Sequence, residues 1–160
     1  MVFRVFVLSH VATAYNEARQ QQESLAIEPF FVAQPKHKEL VKNIPANELS
    51  QMIINEHEYE EVAVAEAHLE LTNVGIAMTR YRLEHGSFPE KLDTLVPRYL
   101  NEIPLDPFDG KPLRLLLKEN QHVVYSIGPD GKDDHGKPLS RGYLLGGDIT
   151  FALTAPKDGR

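Results

Sequence analysis

Residues 60–86 read EEVAVAEAHLELTNVGIAMTRYRLEHG, in which Ala67, Leu71, Val74, Met78 and Tyr81 recur at steps of three and four. That spacing lines one face of a helix and predicts a long amphipathic element with its apolar stripe turned to a core. Arg80, Arg82 and His85 lie in its last turns, where cations complement the negative end of the helix dipole. Gly86 follows and can take the left-handed conformation of a cap, so the helix is expected to stop there.

Downstream, SFPEKLDTLVPRYL (87–100) places Pro89 where a first helical turn tolerates it, and Pro97 where a short helix through Leu92 and Leu95 must end. IPLDPFDGKP (103–112) is rich in proline and in an Asp-Gly step, so it reads as turns carrying the chain from helix to sheet. PLRLLLK (112–118) and HVVYSI (122–127) then flank Glu119-Asn120-Gln121 as an antiparallel hairpin, and DITFAL (148–153) supplies a last strand. Helices first and strands last point to an α+β domain over 61–155, a long helix packed on a small antiparallel sheet with a Gly/Asp-rich loop near the C-terminus.

Residues 1–60 are harder to organise; Pro35 and Pro45 are expected to separate short helices there, and 156–160 reads as a tail. MVFRVFVLSHVATA (1–14) has the outline of an export signal, but Ser9 and His10 interrupt its apolar stretch, which favours an ordinary strand or helix start. The chain of 160 residues carries a net charge of −6 and no basic block interleaved with aromatics, so nucleic acid is not expected as a partner. It has no cysteine, which excludes disulfides, thiolate metal ligands and thiol nucleophiles. No apolar run reaches the roughly 18 residues that span a bilayer.

The chemistry-bearing segment is YSIGPDGKDDHG (125–136), followed by GGDI (146–149). Ser126 is not set in a G-x-S-x-G elbow, the glycines have neither Walker nor dinucleotide-binding spacing, and the seven histidines form no metal-ligand pattern. Asp130, Asp133, Asp134 and Asp148 supply hard oxygens, and glycines let backbone carbonyls turn inward, as calcium requires. The spacing is not that of an EF-hand, since Lys132, His135 and Arg141 stand where that loop needs an oxygen ligand, a glycine and a glutamate. Between Gly128 and Asp148 four aspartates face Lys132, Lys137 and Arg141, a net of only −1. Residue chemistry alone fits a calcium site and a solvated loop equally; an acid–base enzyme has less support, with no oxyanion hole or base partner legible.

The run from YRLEHGSFP (81–89) through PLDPF (104–108), the hairpin, YSIGPDG (125–131) and GGDI (146–149) resembles the globular region of the major pseudopilins of type II secretion. The resemblance covers roughly residues 65–152. It implies a non-enzymatic structural and interaction domain of the cell envelope or extracytoplasmic space, with other secretion or envelope proteins, or further copies of itself, as partners. It also implies a calcium ion held by the Ile127 carbonyl, Asp130 and Asp148, with Asp133 and Asp134 as further candidates, and a 128–148 loop that loosens without the ion. Gly147 stands where the family often has another aspartate. The prepilin leader and the apolar filament helix of that family have no counterpart in this sequence, which leaves open a metal-free binding module of the same fold, presenting Ile27, Phe30, Phe31 and Val32 as an apolar patch.

Overall fold

The computed structural model describes residues 28–42, 56–118, 121–139 and 146–154. The chain divides into two compact units, 1–61 and 62–160. In the first, helix α1 spans Phe30–Lys42 and buries Phe30, Ala33 and His37 along one face. Pro35, expected to separate helices, lies inside α1. The helix tolerates it because the proline φ is already helical; what is forgone is one backbone hydrogen bond to the preceding turn. The apolar patch expected nearby is not an exposed one: Phe30 is buried, Phe31 and Val32 are half-buried, and Ile27 lies outside the described residues, as do Pro45 and the segment 1–14.

The second unit has the α+β architecture anticipated from the helix and strand patterns. Helix α2, Glu56–His85, ends as expected: Gly86 has φ +84° and donates its N–H to the Arg82 carbonyl at 2.8 Å. A 3-10 turn, Leu92–Leu95, replaces the expected short helix; it buries both leucines and passes into a cis Val96–Pro97 bond. Strands β1 (Arg114–Lys118), β2 (Gln121–Ser126) and β3 (Ile149–Thr154) form an antiparallel sheet in the order β1-β2-β3. Leu115, Val124 and Phe151 lie abreast across it.

One face of the sheet packs on α2. Ala67, Leu71, Val74, Ala77 and Met78 from the helix join Leu113, Val124 and Ile149 in a single core, sealed at one end by Phe88, Leu92, Leu95 and Tyr99. Close approach is enabled by Gly75, where a Cβ would stand 2.4 Å from the Phe151 ring. The helix is not amphipathic in the simple sense expected, because Val62, Leu69, Ile76 and Leu83 are all more than half exposed on its other side.

The opposite face of the sheet has the period-2 partners Arg114, Leu116, Val123 and Tyr125. Val123 and Tyr125 are buried even so, because the segment around Gly136, after β2, folds back over them. Gly136 (φ +70°) sits on this face, with Leu116, Tyr125 and Val123 side chains all within 4 Å of the position of a Cβ. The acidic segment is therefore the second covering layer of the sheet, built without regular secondary structure.

Candidate functional site

A covering layer of irregular backbone must find partners for its own polar groups, and here carboxylates supply them. Asp106, from PLDPF, has no solvent exposure. Its Oδ1 accepts from the Phe108 N–H at 3.0 Å and the Ser126 hydroxyl at 2.8 Å, and its Oδ2 from the Ile127 N–H at 2.9 Å and the Arg114 guanidinium at 2.8 Å. One side chain thus ties the 104–112 turn to β1 and to the point where the chain leaves β2. The turn itself is closed by Asp106 N–H to the Lys111 carbonyl (2.7 Å) and Leu113 N–H to the Pro104 carbonyl (2.9 Å).

Arg114 continues the network. Besides Asp106 it bonds Asp109, and its Nε lies 3.6 Å from Asp133 Oδ2 in the covering loop. Asp133 also interacts with the Tyr125 hydroxyl and accepts the His135 N–H at 2.9 Å. That backbone N–H is the main reason its carboxyl is held below the usual range; burial opposes it, and the His135 charge, Tyr125 and Arg114 add to it in smaller measure. The Tyr125 phenol is pushed up, first by burial and then by the Asp133 charge.

At the far end of the loop, Asp148 is fully buried. Oδ1 accepts from the Asp134 N–H at 3.2 Å and Oδ2 from the Gly136 N–H at 2.6 Å. Its own backbone is paired with 137–139, N–H to the Lys137 carbonyl and carbonyl from the Leu139 N–H. Burial pushes its carboxyl up; the two N–H donors oppose this, while the charges of Asp133 and Asp134 reinforce it. Asp148 therefore locks the loop onto itself and carries an electrostatic burden in doing so.

Of the expected metal ligands, Asp130 is exposed, its Oδ1 accepting the Lys132 N–H at 3.1 Å and its Oδ2 close to Gly146. Ile127 is buried beside Asp106. The loop ends meet where Gly128 faces the Gly147 carbonyl, 2.9 Å from a Cβ position. Asp134 is exposed and contributes its N–H rather than its carboxylate. The structure brings Asp130 to one side of the 146–148 strand approach and turns the Asp148 carboxylate toward 134–136. Among the described residues no three acidic or histidine side chains converge to hold a metal ion. The donors are hard oxygens of the type calcium takes, but they form a partial set rather than a closed one. Gly147 has φ +119° and lies 2.9 Å, measured from a Cβ position, from the Pro138 carbonyl, so the aspartate the resemblance leads one to expect there would be strained and crowded.

Reading the sequence missed Asp106 and Arg114, the best-connected polar pair. The signals were an aspartate between two prolines and a lone arginine in an otherwise apolar strand, RLLL, each unusual unless its charge is matched. Ser126 donates to a carboxylate rather than to a histidine base, an arrangement suited to fastening backbone and not to activating an oxygen. Comparison with family models, curated proteins and solved structures finds no match for this chain. No helix among the described residues is long and apolar enough to cross a membrane.

Proposed function

We propose that this protein is a non-enzymatic structural and interaction module of the pseudopilin type, acting with secretion or envelope proteins. The observation that supports this reading most is the use made of Asp106: the residue of the PLDPF motif fastens Ile127 near the start of YSIGPDGKDDHG (125–136), while Asp148 of GGDI fastens Gly136 at its end. The segments that carry the resemblance are those that depend on one another in space. Their reactive groups are occupied in holding the covering loop against the sheet.

Calcium belongs to this proposal. Asp130, the Ile127 carbonyl and Asp148 would hold it, and the ion would supply positive charge beside a buried carboxylate that Asp133 and Asp134 repel. A metal-free form of the same module is favoured by one specific observation, the Arg114 guanidinium facing Asp106, Asp109 and Asp133, which already places a cation among carboxylates.

Thermal melting in millimolar calcium and in chelator separates the two. Calcium should raise the Tm of the wild type and raise that of Asp130→Ala less. Equal wild-type Tm values in both conditions reject the metal and leave the metal-free form. The envelope role is tested by fractionating source cells with an antibody to the protein; recovery only with cytosolic markers would overturn it.

A further inference from the structure

The exposed apolar residues of α2 are not scattered. Val62, Leu69, Ile76 and Leu83 are 68%, 60%, 55% and 75% exposed and fall at intervals of seven. A heptad interval keeps side chains in one seam along a helix, the arrangement by which helices supercoil. This seam runs along the side of α2 opposite the core residues Ala67, Leu71, Val74 and Met78. Three residues after each large side chain stands a small one: Ala65, Thr72, Thr79 and Gly86. The surface thus alternates knobs with shallow sites, over nearly six turns of regular spacing, and contiguous exposed apolar surface of this kind marks an interaction site.

The column beside the seam decides the occupant. Four residues after Val62, Leu69 and Ile76 come Glu66, Asn73 and Arg80, all exposed. This column is acidic, neutral, then basic. Laid against a second copy running the opposite way, Glu66 meets Arg80, Asn73 meets Asn73, and Arg80 meets Glu66. The same two-fold axis, near residue 73, sets Leu69 against Thr79, Ile76 against Thr72 and Leu83 against Ala65. A parallel, in-register pair would instead set Glu66 beside Glu61 of the other copy, which is repulsive, and Arg80 beside Gly75, which leaves it unmatched.

We infer that the exposed face of α2 is a self-docking surface on which a second copy of this chain packs antiparallel, forming an isologous two-fold dimer. The inference rests on the reading of the domain as an interaction module and names its partner and face.

The absence of cysteine makes register measurable by oxidation of introduced cysteines in the full chain. Asn73→Cys should cross-link to its own copy. Ala65→Cys alone and Leu83→Cys alone should not, whereas a mixture of the two should give the heterologous cross-link. Sedimentation equilibrium should show a dimer that Ile76→Lys and Glu66→Arg each weaken, with Glu66→Arg/Arg80→Glu restoring it. Because these side chains are exposed, the helical circular dichroism of every variant should be unchanged. A monomer at all concentrations overturns the proposal, as does efficient self-linking of Leu83→Cys, or a photo-cross-link from a benzophenone attached to a cysteine at position 69 onto residues 1–55 of its own chain. None of these outcomes bears on the cell fractionation that judges the module reading, so the two fail separately.

Discussion

At the scale of single residues, the molecule depends on buried carboxylates whose partners are mostly backbone amides. Removing Asp106 leaves the Ile127 and Phe108 amides, the Ser126 hydroxyl and part of the Arg114 guanidinium without their acceptor. Breaking a buried ion pair by deleting one partner costs about 3–5 kcal/mol. Asp106→Ala is therefore expected to lose stability of that order in urea denaturation, and Asp109→Ala, whose carboxylate is nearer solvent, much less. Asp148 has a pH signature of its own. Burial raises its pKa in the fold, so ionising it costs more there than in the unfolded chain. That cost is absent below the ordinary carboxylate range and grows as pH rises through the raised value. Tm curves in chelator should show the wild type losing ground to Asp148→Asn as pH rises from strongly acid toward neutral. Asp133, held low, has the opposite sign: its contribution is present above the ordinary range and lost as pH falls through its lowered value. The aspartates themselves were conspicuous in the sequence, but their division of labour was not. Which of them faces an amide, an arginine or water is decided by the path of the loop across the sheet, and no local spacing encodes that path.

At the scale of elements, most boundaries were legible because each has a local cause. The helix period and Gly86 predicted where α2 runs and stops, and the two apolar runs flanking Glu119-Asn120-Gln121 predicted the β1–β2 hairpin. Pro35 misled because a proline signal is statistical, and a surrounding helix can absorb the loss of one bond. The expectation of simple amphipathicity followed one stripe of α2 and overlooked the second, since a period of three and four residues fits both sides of a helix that is apolar on each. Gly75 gives a test of the helix–sheet contact. In a solvent-facing helix Gly→Ala stabilises by about 1 kcal/mol. Here the added methyl meets the Phe151 ring, and overpacking costs about 1–3 kcal/mol. Gly75→Ala should therefore fail to stabilise and should lower Tm, while Gly75→Ala with Phe151→Leu should recover the helix-propensity gain. A Tm above wild type for the single variant would show that α2 stands off the sheet.

At the scale of the whole molecule, the core cluster of the second unit is made by residues from 64 to 153. A chain of residues 56–160 is accordingly expected to melt cooperatively and to retain the sensitivity to Gly75→Ala; a broad, non-cooperative melt would show that 1–55 completes the core. The order β1-β2-β3 means neighbouring strands in the sheet are also neighbours in sequence. The long excursion between strands runs over residues 127–148, from β2 to β3. The entropy of closing that excursion must be met before the Asp148 contacts repay it. This bears on kinetics. The β1–β2 hairpin and the Asp106–Arg114 pair join residues close in sequence and can form early, whereas Asp148 reaches its amides only once β3 has returned. Asp148→Ala, which removes both acceptors, should consequently quicken unfolding while leaving the refolding rate nearly untouched, so that the loop sets how long the native state lasts and has little say in how fast it is reached.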